Sequence, residues 1–277
     1  MYRFAVIGDP VEHSLSPPMH RYFMDRAGID GEYGRIHVQD ISDLRSVEDQ
    51  LRTGSLDGIN ITAPWKTTIR DYLDSQTEEA ETIGAVNTVA ARQDGKLHGH
   101  NTDKIGFIRA LKAHLKQGTI ESAAILGAGG SARAVLLGLR DLRSRDIAIL
   151  NRTLANAERM IGELSPGTEA TAGPLTQESL EYHFVGKDLI VNTLPTSARS
   201  IFNEFTVPEI SGKIYFDLIY AGDPHRVLDK FKDSGWECED GLDMLIYQGI
   251  ASLEYWTGTG VDKTVDMPEL RSQLLGE

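Results

Sequence analysis

Gly127-Ala128-Gly129-Gly130-Ser131-Ala132-Arg133 is the stretch on which the reading of this chain turns. It follows an apolar run, 123–126, short enough to be a buried strand. It precedes 134–142, where Val135, Leu136, Leu139 and Leu142 recur at helical spacing. The glycines therefore stand at a strand-to-helix turn. Glycine there lets the backbone turn tightly and approach a pyrophosphate, while the new helix N-terminus offers free N–H groups to an anion. The pattern is G-x-G-G-x-A, with Ala132 small enough for close helix–strand packing. Taken alone, an ordinary glycine-rich turn would look the same.

The next strand narrows the choice. Residues 146–150 read as the second strand of a βαβ unit. Folds that take NAD place an acidic residue at its end, bound to the ribose hydroxyls. Asn151-Arg152-Thr153 stands there instead. An arginine holds a 2′-phosphate through paired charge-assisted hydrogen bonds, and an acid would repel it. The expected cofactor is NADP, contacted by Gly127, Ala128, Gly129, Gly130, Ser131, Asn151, Arg152 and Thr153. The plainer reading of Arg152 is a solvated charge at a helix start, where the helix dipole disfavours a cation.

From this turn onward the rhythm is βαβαβ. Strands are expected at 123–126, 147–150, Leu189–Asn192, 214–218 and 236–238, with helices between most of them. Such alternation implies a doubly wound parallel sheet of Rossmann type, covered on both faces. Upstream lies a separate α/β region. Its expected strands are 3–7, 33–38 and Gly58–Ile61, followed by a hairpin of 86–92 with 96–100 around Asp94-Gly95. Its expected helices start at Pro17 with Ser16 as N-cap, ending near Ala27 before Gly28, then at 41–51, after Pro64, and at 77–83. Asp103–His114 reads as amphipathic, with Ile105, Phe107, Ile108 and Leu111 inward. The polar stretch 116–122, containing Gly118, takes the domain boundary, and a long apolar-striped helix, 242–256, is free to return to the first domain. The expected domains are a substrate-binding and catalytic domain at 1–115, the dinucleotide domain at 116–240 and C-terminal helices at 241–277.

Composition bounds the rest. Hydrophobic residues at 40% and charged residues at 25% are ordinary for a globular chain. A net charge of -13 argues against a nucleic-acid surface. It also opposes anionic ligands at long range, so a phosphate site needs local cations, for which Arg133 and Arg152 are the candidates. The single cysteine, Cys238, cannot form an internal disulfide, which fits a reducing compartment. No apolar run reaches membrane-spanning length, and the first residues read as a strand rather than a signal peptide. A cytoplasmic location is expected, with no membrane or nucleic-acid partner.

Three upstream stretches carry the chemistry: Ser14-Leu15-Ser16-Pro17, Asn60 to Lys66, and Asn101-Thr102-Asp103. Each lies where an expected strand gives way to a helix, the edge at which ligands gather in open α/β sheets. Together they offer serines, a threonine, amides, an ammonium and a carboxylate, a set suited to a small polyhydroxylated anion. Each also has a plainer reading: Ser16 and Asp103 as helix caps, Lys66 as a surface lysine, Asn87 as a turn residue. His98 and His100 share a strand face but lack a third partner, so no metal is expected.

The ordered set of motifs resembles the shikimate dehydrogenase family. The matching stretches are Gly8 to Pro17, Asn60 to Lys66, Gly84 to Thr88, Asn101 to Asp103, Gly127 to Arg133, Asn151 to Thr153 and Gly241 to Gln248. The resemblance implies a substrate domain followed by a Rossmann domain, with the C-terminal helices packing back on the first. It implies Lys66 and Asp103 as the catalytic pair, Ser14 and Ser16 on the substrate carboxylate, and Thr62, Asn87, Tyr220 and Gln248 on its ring hydroxyls or carboxylate. Leu218 and Gly241 are implied beside the cofactor. The implied reaction is reversible, NADPH-dependent reduction of 3-dehydroshikimate to shikimate. A quinate/shikimate dehydrogenase with relaxed cofactor choice and a non-catalytic NADPH-sensing relative are the alternatives. The association state stays open, a homodimer included. The chain departs from the family in carrying Asn156 where a second basic residue is usual, in lacking a glycine in Asn192 to Ser197, and in Ala221-Gly222-Asp223-Pro224 after Tyr220.

Overall fold

The structure, a computed structural model, describes residues 1–115, 119–165, 170–220 and 226–276. The Ala221–Pro224 departure and Gly118 lie outside the described residues. The chain divides into two compact units, Met1–Gly106 with Leu245–Glu277, and Phe107–Met244. The first division falls within a helix, Asp103–His114, rather than in the polar stretch after it.

The first unit opens with β1 (Tyr2–Gly8), α1 (Ser16–Ala27), β2 (Gly31–His37), α2 (Ile41–Arg52) and β3 (Gly58–Ile61). A 3-10 segment (Thr68–Tyr72), β4 (Ser75–Gln76), α3 (Glu78–Ile83), β5 (Thr88–Ala91), β6 (Leu97–His100) and the start of α4 (Asp103–His114), which runs on into the second unit, follow. The sheet order is β2-β1-β3-β5-β6-β4. β1 runs parallel to β2 and β3, while β5 is antiparallel to β3 and β6. β1 is apolar on both faces because both are covered. Ala5 and Ile7 join Val38, Leu44, Val47, Ile59 and Trp65 on one side. Phe4 faces the other.

Three expectations are corrected here. Ser16 does not cap α1: the helix begins at Ser16, the cap position falls to Leu15 with no side-chain cap, and the Ser16 N–H donates to Ser14 Oγ at 3.2 Å. Pro64 opens no α-helix, because the Lys66 carbonyl accepts from the Val86 N–H at 2.7 Å and is lost to any helical ladder. Ile105 is 37% exposed, because the buried stripe of α4 runs through Asp103, Phe107, Ala110 and Leu111.

The second unit holds β7 (Ser122–Leu126), α5 (Gly130–Asp141), β8 (Asp146–Asn151), α6 (Leu154–Leu164), β9 (Thr171–Pro174) and α7 (Gln177–Gly186). Then come β10 (Leu189–Asn192), a 3-10 segment (Thr196–Phe202), β11 (Ile214–Asp217), α8 (Val227–Asp233) and β12 (Glu237–Glu239). The sheet is parallel, in the order β12-β11-β10-β7-β8-β9. The chain winds outward from β7 to β9, then crosses back to β10. The strand order therefore reverses between β7 and β10, the place where such sheets bind ligands beyond their C-terminal strand ends.

The chain closes with α9 (Leu242–Thr257), a 3-10 segment (Asp262–Thr264) and α10 (Met267–Leu275). From Leu245 onward it belongs to the first unit. Gly249 packs on Met19 and Phe23 of α1, where an added Cβ would collide with the Met19 side chain. Trp256 stacks on Phe4, with ring centroids 4.4 Å apart, and donates its indole N–H to the Val89 carbonyl at 2.9 Å. Gly58 is required beneath that indole: an added Cβ would lie 2.5 Å from its nitrogen.

Candidate active site

The register of the first sheet explains why distant motifs meet. β1 and β3 both point their C-terminal ends to one edge, with Ile7 opposite Ile61. β5 runs the other way, so its first residue, Thr88, lies at that same edge beside Asn60 and His100. The serine loop after β1, the Thr62–Lys66 turn after β3, Asn87 before β5 and Asn101–Asp103 after β6 all belong to it. Gly8 makes the edge compact: a Cβ there would collide with Thr62 Cγ2.

Lys66 Nζ donates to Asp103 Oδ2 at 2.6 Å, and the two side chains are 16% and 6% exposed. Asp103 is fixed from two further directions. Its N–H donates to Asn101 Oδ1 at 2.9 Å, and its Oδ1 accepts from Asn87 Nδ2 at 2.8 Å. Asn87 Oδ1 in turn accepts from the Thr102 N–H at 2.8 Å. Gln248 of α9 faces the same cluster, its Oε1 accepting from Asn87 Nδ2 at 3.1 Å and Thr102 Oγ1 at 3.3 Å. Four expected site residues, Lys66, Asp103, Asn87 and Gln248, thus form one connected group. The geometry offers an ammonium held in place by a carboxylate, with amides around it. An ammonium so held can stabilise charge developing on an oxygen and deliver a proton to it.

Beneath this group runs a buried network that sequence reading missed in part. Ser252 of α9 hydrogen-bonds Asn60 Nδ2 at 2.9 Å, Thr88 Oγ1 at 2.8 Å and Thr102 Oγ1 at 3.1 Å. Tyr33 donates its hydroxyl to Asn60 Oδ1 at 2.7 Å. The available signal was the spacing of Gln248 and Ser252, two polar residues four apart on an otherwise apolar helix stripe.

The serine loop is held from β2. Arg35 Nη2 donates to the Ser14 carbonyl at 2.5 Å, and His37 Nε2 lies 2.7 Å from Asp9 Oδ1. The hydrogen bond to Asp9 holds the exposed His37 imidazole above its usual pKa. Ser14 Oγ donates to Ser16 Oγ at 3.1 Å, so both hydroxyls stand together before the first turn of α1, a seat for a carboxylate.

In the second unit the glycine turn bends sharply and leaves its backbone uncovered at Gly129. Gly127 has φ +108, and a Cβ there would meet Thr193 Oγ1 at 2.5 Å. Gly129 precedes α5 with open space where its Cβ would be, and Ala132 is fully buried as the small residue against the sheet. Arg152 is exposed beyond β8, next to Asn151, whose Nδ2 donates to the Thr153 carbonyl at 2.9 Å. Arg133 instead pairs with Glu163 at 2.8 Å, which weakens it as a phosphate cation and leaves Arg152 the stronger candidate. Leu218 and Gly241 meet: a Cβ on Gly241 would collide with the Leu218 carbonyl oxygen. Tyr220 is half-buried in this same unit. These features fit a dinucleotide. Among the described residues no group of three or more His, Cys, Asp or Glu could hold a metal ion. Among them, too, no helix is long and apolar enough to cross a membrane.

Comparison with known proteins points to one family. A family model for the shikimate dehydrogenase substrate binding domain matches residues 6–89, and one for the shikimate 5'-dehydrogenase C-terminal domain matches 241–271. A shikimate dehydrogenase (NADP(+)) from Lysinibacillus sphaericus strain C3-41 is 34% identical, the match covering 99% of this chain and 98% of that protein. The crystal structure of shikimate 5-dehydrogenase from Thermus thermophilus, in complex with NADP(H) and shikimate, is 33% identical with a TM-score of 0.75, covering 95% of this chain and 98% of that one. Quinate dehydrogenase from Corynebacterium glutamicum, in complex with NAD, superposes with a TM-score of 0.83 at 25% identity, covering 100% of this chain and 99% of that one.

Proposed function

The chain belongs to the shikimate dehydrogenase family, and from that premise we propose that it interconverts 3-dehydroshikimate and shikimate with NADPH and NADP+. The observation that carries the proposal is the Lys66–Asp103 pair, bonded to Asn87 and adjoined by Gln248. NADPH supplies the hydride. Lys66 donates the proton that the reduced ketone oxygen requires and accepts it back in the oxidative direction. Asp103 orients the ammonium and keeps lone pairs for a neighbouring substrate hydroxyl. Asn87 and Gln248 present amide groups to the remaining hydroxyls, and Ser14 with Ser16 takes the carboxylate. Thr62 completes the substrate contacts of the first unit. Gly127 to Ser131 receive the pyrophosphate and Arg152 the 2′-phosphate, with Asn151 and Thr153 beside it and Leu218 and Gly241 near the nicotinamide half.

A cytoplasmic location is part of this proposal, in keeping with a free cysteine, Cys238, whose thiol burial pushes up to about 12. A homodimer would be read by sedimentation velocity. The deciding assay is a panel of shikimate and quinate, each against NADP+ and NAD+. The expected outcome is turnover of shikimate with NADP+ above the other three pairs. Quinate with NAD+ as the preferred pair would transfer the chain to the specificity of its quinate neighbour. Absence of any turnover, with NADPH still bound, would make it a sensor.

A further inference from the structure

The second unit buries an ion pair that the proposed chemistry does not use. Arg199, in the 3-10 segment Thr196–Phe202, is fully buried and meets Asp217, at the end of β11, through Nη1–Oδ2 at 2.7 Å and Nη2–Oδ1 at 2.5 Å. Its Nε donates to the Leu194 carbonyl at 3.1 Å. Asp217 also accepts from the Ile219 N–H at 2.9 Å. Asn192, at the end of β10, donates to the Tyr215 hydroxyl at 2.8 Å and accepts from the Leu194 N–H at 3.1 Å. Thr193 ties this loop to the neighbouring strand, its N–H and hydroxyl both donating to the Leu126 carbonyl, at 3.0 and 2.7 Å. One guanidinium therefore joins the segment after β10 to the segment after β11, and the first of these packs on Gly127.

Topology says which part of a ligand those segments serve. The sheet runs β11-β10-β7-β8, with the glycine turn after β7 and Arg152 after β8. A dinucleotide with its pyrophosphate on the glycine turn and its 2′-phosphate at Arg152 must extend its other half over β10 and β11. We propose that Arg199 is a positioning residue for the nicotinamide half of the cofactor, fixing residues 192–194 and 217–219 as a preformed shelf. The inference rests on the reading of the chain as NADP-dependent. A buried guanidinium is costly without its partner, and replacing both members of such a pair is often tolerated where removing one is not. A pair kept for stability alone is therefore replaceable, whereas a pair that sets the shelf is not.

The test uses R199M/D217N, in which neither charge remains and an amide still accepts from Ile219. Dissociation constants of the full-length protein are measured for NADP+ and for 2′,5′-ADP, which carries only the adenosine half. Steady-state KM for shikimate is measured alongside. The expected result is a Kd for NADP+ raised about tenfold through lost preorganisation, with 2′,5′-ADP affinity and shikimate KM within about twofold of wild type. R199K, which keeps one charge but loses the two-pronged geometry and the bond to Leu194, should shift NADP+ in the same direction and serves where the double variant does not fold. Wild-type affinity for NADP+ in the folded variants, or an equal loss of 2′,5′-ADP, would overturn the assignment. Failure of the wild-type chain to bind NADP+ would instead overturn the functional reading beneath it.

Discussion

The Lys66 ammonium owes its place to residues spread over four segments of the chain, and its chemistry is simple to remove. Lys66→Ala should lower kcat by about 10²–10³, the usual cost of losing one charge-stabilising donor. KM for shikimate should move much less, since the charge matters mainly in the transition state. Steady-state kinetics in the oxidative direction check this, and a near-normal kcat would remove Lys66 from the mechanism. The two glycines of the dinucleotide turn make a paired prediction. Gly127→Ala forces a side chain into positive φ against Thr193 and should lower stability by about 1–2 kcal/mol while weakening NADP+. Gly129→Ala meets no protein atom within 4 Å and should melt like wild type, yet still weaken NADP+ where the backbone must approach the pyrophosphate. Differential scanning calorimetry beside fluorescence titration separates the two. If Gly129→Ala binds normally, the turn does not approach the cofactor there.

At the scale of elements, the last long helix is what completes the catalytic edge. Trp256→Ala removes the ring stacked on Phe4 and the donor to Val89 and should cost about 3–5 kcal/mol in urea unfolding. A value below about 1 kcal/mol would mean that α9 is not held by its indole. Much of this architecture was readable beforehand. Apolar runs marked β3, β7, β8, β10 and β11, Asp94-Gly95 marked the hairpin, and Gly28 stopped α1 in a left-handed conformation. β9 was not readable, since Thr171–Pro174 has no apolar alternation and ends in proline, tolerated because it lies at the sheet edge. Ser252 was hidden for a related reason: a serine on an apolar helix looks like tolerated noise until its three buried partners are seen. The Arg199–Asp217 pair was equally invisible, because an arginine in a polar loop carries no sign of being inside.

At the scale of the whole molecule, His20 links the fold to pH. It is fully buried, stacked on Tyr33 with centroids 4.2 Å apart, and neither ring nitrogen has a hydrogen-bond partner among the described residues. Burial, with no hydrogen-bond partner on the ring, pushes the imidazole down to about 3. Below the ordinary histidine pKa of about 6.5 the unfolded chain takes up a proton that the folded chain refuses. Stability from this residue is therefore complete above that pH and declines on acidification towards 3, by about 1.4 kcal/mol per pH unit. His20→Phe removes that group's share of the slope and should flatten the fall in Tm between about pH 6 and pH 4, read by calorimetry across the range. An unchanged acid limb would show that other groups set it.

The division of the chain has an outcome in time as well as in space. Gln248, Ser252 and Trp256 complete a unit whose other residues end at Gly106, so that unit stays unfinished while everything between them is translated. At about 5–20 residues per second, the nascent first segment waits on the order of ten seconds with Phe4, Met19 and His20 lacking their cover. Ribosome-bound chains ending before Leu245 should recruit holdase chaperones and digest readily with protease, and those carrying the last helix clear of the exit tunnel should not.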